Sequence, residues 1–159
     1  MAGTQLRKRP IEKWRGEIAI ESLYTAGAGG QIFFKALKEK GELVGTRCRP
    51  CDQVYVPSRQ FCERCFAELT EKVTVRPEGV VKSFSYSYVD HQGRRLRQPV
   101  ASALVQLDGA TTVMLHRLLE VKDLSRVSIG SRVRAVIKAK SQRTGSILDI
   151  EGFRLVAPT

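Results

Sequence analysis

The chain has 159 residues, 42% of them hydrophobic and 27% charged, which is the size and balance of one soluble globular domain or two small ones. No apolar run approaches the length that spans a bilayer, and "MAGTQLRKRPIEKWRGE" has no apolar segment behind its basic residues. Neither a membrane span nor a signal peptide is therefore expected, and the expected compartment is the reducing cytoplasm, where disulfides are rare. The net charge of +11 is uneven, at +4 over residues 1–40, zero over 41–78 and +7 over 79–159. Such a surface suits nucleic acid, anionic membrane, acidic proteins or phosphate-bearing small molecules, and charge alone does not choose among them.

Residues 1–30 read as a loosely ordered arm. Trp14, Ile18, Ile20, Leu23 and Tyr24 are apolar anchors with little to pack against, suited to docking on another protein. "TAGAGG" (25–30) reads as a flexible joint. Residues 31–40, "QIFFKALKEK", read as a helix with Phe33, Phe34 and Leu37 on one face and Gly41 as its stop. That face can pack on the chain's own body or on a partner.

All four cysteines follow within "GTRCRPCDQVYVPSRQFCERCF" (45–66), as the pairs Cys48/Cys51 and Cys62/Cys65. Each C-x-x-C turn can aim two sulfurs at one ion, and two turns complete a tetrahedron with Zn–S bonds of about 2.3 Å. Between the pairs, "VYVPSRQF" fits a strand out, a turn at Pro57-Ser58 and a strand back. One structural zinc in a colourless protein is the expectation. Rubredoxin-like iron uses the same ligands, but glycine usually follows each pair there, whereas Asp52 and Phe66 follow here. Because a phenylalanine resists a left-handed turn, the second knuckle is expected to be irregular. A redox dithiol is the third alternative; neither pair opens a helix in an evident βαβ unit. Four thiolates and Zn²⁺ sum to −2, so Arg47, Arg49, Arg59 and Arg64 either stabilise the centre or are solvated surface. A closed site of this kind has no open position for substrate.

From residue 79 the hydrophobic period becomes two. "VVKSFSYSYV" sets Phe84, Tyr86 and Tyr88 on one face and Ser83, Ser85 and Ser87 on the other. "VASALVQL" aligns Ala101, Ala103, Val105 and Leu107, and "TTVMLHRL" follows over an Asp108-Gly109 turn. "RVRAVIKAK" points Val133, Ala135, Ile137 and Ala139 inward and Arg132, Arg134, Lys138 and Lys140 outward. "SILDIEGFRL" should place Leu148 and Ile150 inward and Asp149 and Glu151 outward. A hairpin matching Ile137 with Ile150 then sets Lys138 opposite Asp149 and Val136 opposite Glu151, neutralising part of the basic row. Five strands in this span predict a small closed barrel of the OB-fold type. "DHQGRRLRQP" (90–99) reads as a loop holding the denser unpaired patch, Arg94, Arg95 and Arg97. The chain's own catalytic groups are scarce: His91 in a loop, His116 in a strand and the strand serines, none with an evident partner.

The order of arm, short aromatic helix, two C-x-x-C pairs with "P-x-R-x-x-C" between them, and barrel ending in "ILDIEGF" resembles one family over residues 24–157. It is the acyl-CoA-associated zinc-ribbon plus OB-fold family, long catalogued as a domain of unknown function. The most specific pieces are "YTAGAGGQIFFKALKEKGELVGTRC" and "VYVPSRQFCERCF". The resemblance implies a mainly β chain with an arm and docking helix (1–40), a rubredoxin-like zinc ribbon (41–78) and a five-stranded OB-fold (79–159). It implies a small subunit, not an enzyme by itself, that completes an acyl-CoA-processing partner. That partner is a thiolase-superfamily enzyme or, less often, a CoA-ester hydratase or aldolase, in a hetero-oligomer such as α2β2. Arg94, Arg95 and Arg97 could then meet the CoA phosphates through charge-assisted hydrogen bonds. The competing reading is a nucleic-acid module, with Phe84, Tyr86 and Tyr88 as a stacking row.

Overall fold

The computed structural model describes Gly16, residues 24–121 and residues 123–156. Trp14, Ile18, Ile20 and Leu23 lie outside the described residues; Tyr24 is 91% exposed. The helix, α1 (Gly27–Lys40), starts four residues before residue 31, so "TAGAGG" is no joint but enters the first helical turn. Tertiary packing overrides glycine's poor helix propensity here, because Gly29 is buried against the main chain of Arg59 and Gln60. Gly41 closes the helix at φ 74°, its N–H shared by the carbonyls of Ala36 (3.1 Å) and Leu37 (3.0 Å). Phe33 and Leu37 are fully buried, and half-buried Phe34 meets Phe33 edge-on at 5.4 Å. These residues join one core with Leu43, Val81 and Phe153, so the helix packs on the chain's own body.

Three strands form the ribbon: β1 (Leu43–Cys48), β2 (Gln53–Tyr55) and β3 (Glu71–Val75), in the antiparallel order β2-β1-β3. No strand returns between the cysteine pairs as the spacing suggested. The chain there is held by β1 side chains instead. The Ser58 hydroxyl donates to the Val44 carbonyl (2.7 Å), the Arg59 N–H donates to Thr46 Oγ1 (2.9 Å), and the Thr46 hydroxyl donates to the Arg59 carbonyl (2.9 Å). Each buried polar group thereby finds a partner off the ladder.

The remaining strands, β4 (Glu78–Val89), β5 (Arg95–Leu107), β6 (Val113–Leu119), β7 (Arg132–Ile137) and β8 (Ile150–Leu155), close a barrel in the order β4-β5-β6-β8-β7. Every pair is antiparallel except β6–β8, and β7 returns to β4, which is an OB-fold. Ala101, Ala103, Val105, Leu107 and Val133 fill the interior as the alternation predicted. Beyond the barrel mouth, β4 and β5 continue as a two-stranded ribbon whose far ends pair only with each other.

The last strand departs from the expected alternation. β8 begins only at Ile150, after a 3₁₀ turn over Ile147–Asp149. Leu148 is 67% exposed and Asp149 is buried, the reverse of the expectation. The Asp149 carboxylate accepts the N–H groups of Thr144 (2.9 Å), Gly145 (2.7 Å) and Ser146 (3.2 Å), which outweighs a place on a solvent face. Ile137 does pair with Ile150, and the Lys138 N–H donates to the Asp149 carbonyl (2.9 Å), but the inward carboxylate cannot neutralise Lys138. A bulge between Val136 and Ile137 sets Val136 opposite Gly152 instead of Glu151, and β7 ends before Ala139, which is exposed. Among the described residues no helix is long and apolar enough to cross a membrane.

Ribbon and barrel are joined along β2. The Val54 N–H donates to Thr111 Oγ1 (2.9 Å), the Thr111 N–H donates to the Val54 carbonyl (3.0 Å), and the Val56 N–H donates to Thr112 Oγ1 (3.0 Å). The β5–β6 turn thus satisfies the outer edge of the small sheet, and Val54 and Val56 enter the barrel's core.

Candidate metal centre

Cys48 ends β1, Cys51 follows in the turn to β2, and Cys62 and Cys65 lie in the second knuckle. All four sulfurs lie within 4.8 Å of one another, and the Cys48 and Cys65 sulfurs are 3.5 Å apart. A tetrahedron with bonds of about 2.3 Å has edges of about 3.8 Å, so the cage has the dimensions of a four-thiolate zinc site. None of the four is in a disulfide. Both knuckles are regular. Asp52 takes φ 51° and Phe66 takes φ 58°, the Cys62 N–H donates to the Ala67 carbonyl (2.9 Å) and the Phe66 N–H donates to the Cys62 carbonyl (3.0 Å). The expected irregularity at Phe66 is absent: the turn imposes the left-handed conformation, and a ring 79% exposed meets no packing conflict there.

The electrostatics favour a cation. A hydrogen bond from Tyr55, aided by the N–H groups of Cys65 and Arg64, pulls the Cys62 thiol down to about 6. The same bond, with burial, pushes Tyr55 up to about 12. Cys51, against the Cys65 sulfur and desolvated, is pushed up to about 12, and burial also raises Cys48. Cys62 ionises readily, while Cys48 and Cys51 need a positive ion to follow, which is what a dication among the sulfurs supplies.

The flanking arginines contribute less charge than their number suggests. Arg47 pairs with Asp52, Arg49 with Glu71 (2.8 Å) and Arg59 with Glu63 (2.7 Å). Arg64 has no carboxylate partner among the described residues, and its N–H donates to the Cys62 sulfur at 3.4 Å. Tyr55 is the site residue that strand propensity concealed. Its signal is an amphipathic ring between the cysteine pairs, since a buried tyrosine hydroxyl needs a partner.

The other candidate residues do not converge. Arg94 pairs with Asp90 (2.8 Å) in a tight turn, while Arg95 and Arg97 belong to β5, so the loop expected over 90–99 is only a turn at the ribbon's tip. Arg95 and Arg97 are exposed and have no carboxylate partner among the described residues. His91 is exposed in that turn. His116 packs edge-on to Phe153 at 5.9 Å, and burial lowers it below the ordinary imidazole range. The basic row is paired in part, with Arg132 on Asp108 (2.6 Å) and Arg134 on Glu78 (2.5 Å). Phe84 and Tyr86 are half-buried against the core and tilted on each other at 5.6 Å, so only Tyr88 stands out for stacking.

Two family models match in succession: "ChsH2, rubredoxin-like zinc ribbon domain" over residues 36–71 and "ChsH2, C-terminal OB-fold domain" over residues 72–138. A similar protein is the DUF35 domain-containing scaffold protein of Methanocaldococcus jannaschii, 27% identical over 106 residues, covering 66% of this chain and 74% of the relative. A crystal structure of a DUF35-family protein of unknown function from Sulfolobus solfataricus has a TM-score of 0.61 at 25% identity, covering 81% of this chain and 84% of that one. A structure named Ltp2-ChsH2(DUF35) aldolase shares the fold, with a TM-score of 0.57 at 20% identity and coverage of 87% and 98%. The barrel model takes up at residue 72 where the ribbon model stops at 71, both describe one family, and this chain therefore belongs to the ChsH2-type zinc-ribbon and OB-fold family, DUF35.

Proposed function

We propose that this chain is a non-catalytic accessory subunit that binds and completes an enzyme acting on acyl-CoA esters. Cys48, Cys51, Cys62 and Cys65 hold one structural Zn²⁺ per chain, whose charge and four bonds cross-link a ribbon with few core residues of its own. The observation that carries the reading is the convergence of all four cysteines of the chain into one closed site. Such a site leaves no free thiol nucleophile and no open coordination position, so the metal supports architecture and not turnover. A relative named a scaffold protein supports the same role. The working parts are an arm and helix (1–40), the ribbon (41–78) and the barrel (79–159), acting in the cytoplasm.

The proposed partner is a thiolase-superfamily enzyme in an α2β2 assembly. An aldolase or hydratase acting on CoA esters is the second reading, favoured by the fold neighbour named for an aldolase. Arg95 and Arg97, with the free side of the Arg94 guanidinium, are proposed to meet CoA phosphates where the two subunits join. The nucleic-acid reading loses its track, because the arginine row is occupied by Asp108 and Glu78.

The test is co-expression with one thiolase and one aldolase subunit in parallel, read by light scattering on the purified species and by turnover of CoA esters. A stoichiometric complex with gained activity is expected in one arm. Turnover by this chain alone, or a lone monomer that changes neither enzyme, would refute the role. Tight single-strand binding with a steep salt slope would reinstate the nucleic-acid reading.

A further inference from the structure

Tyr55 ends β2 with its ring fully buried and its hydroxyl 3.2 Å from the Cys62 sulfur. Backbone N–H groups such as that of Arg64 belong to the knuckle itself, but this phenol comes from the strand between the two cysteine pairs. A metal-bound thiolate carries no proton, so the hydroxyl is the donor and the sulfur the acceptor. Burial removes the competing water, which keeps the bond made. The Arg59 guanidinium lies 5.1 Å from the ring centroid and is anchored by Glu63 at 2.7 Å. A cation over the ring draws electron density from it, which strengthens the phenol as a donor.

Cys65 stands in the opposite condition. It is exposed, and among the described residues no hydroxyl reaches its sulfur, whose neighbour is the Cys48 sulfur at 3.5 Å. We propose that Tyr55 is a positioning residue of the metal centre: its hydroxyl draws charge from the Cys62 sulfur, holds that sulfur on the metal, and leaves exposed Cys65 as the ligand that exchanges first. A thiolate that has given up charge to a donor is less nucleophilic toward an incoming proton or electrophile, so it leaves the metal more slowly. The inference rests on the four-cysteine metal reading and adds an order of release to it.

The test compares full-length wild type with Tyr55→Phe, which keeps the ring and deletes the donor. Each is loaded with Co²⁺ as a spectroscopic substitute for Zn²⁺, and separately with Zn²⁺. Tyr55→Phe is expected to shift the thiolate-to-cobalt charge-transfer bands to longer wavelength. Its zinc affinity, read by chelator competition, should fall about 10-fold or more, as for other hydrogen-bond partners of metal ligands. Limited iodoacetamide labelling mapped by mass spectrometry should mark Cys65 first in wild type, with Cys62 joining it in the variant. Should Tyr55→Phe fail to fold, Arg59→Gln leaves the hydroxyl in place and is expected to give a smaller shift in the same direction. A metal-loaded variant with wild-type bands and wild-type zinc affinity overturns the inference. A wild type that takes up neither metal overturns the metal reading instead, so the two failures are distinct.

Discussion

Replacing Gly29 by alanine sets two known effects against each other, and the structure decides the sign. Inside an exposed helix the change stabilises by about 1 kcal/mol. In a free joint it would also be harmless or stabilising, by about 0.4–1 kcal/mol through the unfolded chain. Here the new Cβ would stand 2.7 Å from the Arg59 carbonyl carbon, 2.8 Å from its Cα and 2.8 Å from the Gln60 nitrogen. Carbon atoms in contact prefer about 3.5–4.0 Å, so one side must move by roughly 1 Å. The segment cannot easily yield, being tied to Thr46 at 2.9 Å, to Val44 through Ser58 at 2.7 Å and to Leu69, whose N–H donates to the Gln60 carbonyl at 2.8 Å. The helix must lift instead, and it carries fully buried Phe33 and Leu37. Overpacking against rigid main chain costs about 1–3 kcal/mol, and the lost packing of those two side chains adds to it. The net expectation is a loss of about 1–2 kcal/mol after the helix gain, or a fall in Tm of roughly 2–8 °C at about 2–4 °C per kcal/mol. Urea unfolding of the zinc-loaded protein, with Cm compared at constant m, measures it. A Gly29→Ala protein as stable as wild type or more so would refute the docking of α1 on the ribbon.

Phe33→Ala should cost about 3–5 kcal/mol in the same assay, because the ring is wholly buried in a core shared by helix, ribbon and barrel; a loss below about 1 kcal/mol would mean that this face is free for a partner. Removing zinc with a chelator should lower the Tm of the whole chain in calorimetry, since Leu43, Val54, Val56 and Val75 of the ribbon sheet share the barrel's core; an unmoved barrel transition would separate the two. Asp149→Asn should cost about 1–3 kcal/mol at neutral pH by turning an amide donor toward three N–H groups. Burial alone would raise the Asp149 carboxyl, but the N–H groups of Thr144, Gly145 and Ser146 outweigh it and hold it below the usual range. Its contribution is therefore complete above the unfolded value of about 3.9 and is lost as pH falls through the lower folded value. The stability gap between wild type and Asp149→Asn should narrow as pH falls below the unfolded carboxyl value of about 3.9, and a gap constant with pH would contradict the assignment.

The metal cage was legible because its signal is local: two short turns, each written in four residues, determine where paired sulfurs point. The interior of β5 was legible for a similar reason, since alternation at Ala101, Ala103, Val105 and Leu107 reports one face of one strand. Periodicity failed at Leu148 and Asp149, where a carboxylate with three N–H donors in reach rewards a turn over another strand residue. It was silent on Tyr55, whose hydroxyl partner lies seven residues away across the ribbon. The basic row is partly paired, as expected, but its partners were not legible: Arg132 finds Asp108 from 24 residues away.

By itself, the order of residues determined the mainly β class, the two converging cysteine pairs, the five barrel strands and the family resemblance, all of which rest on short-range spacing. Only the tertiary structure decided that residues 27–30 belong to a docked helix, that β2 joins ribbon to barrel through Thr111 and Thr112, and that Arg132 and Arg134 face carboxylates. The physical reason is that close approach, burial and charge pairing belong to two segments at once. A local pattern describes one segment and carries no account of what folding brings against it.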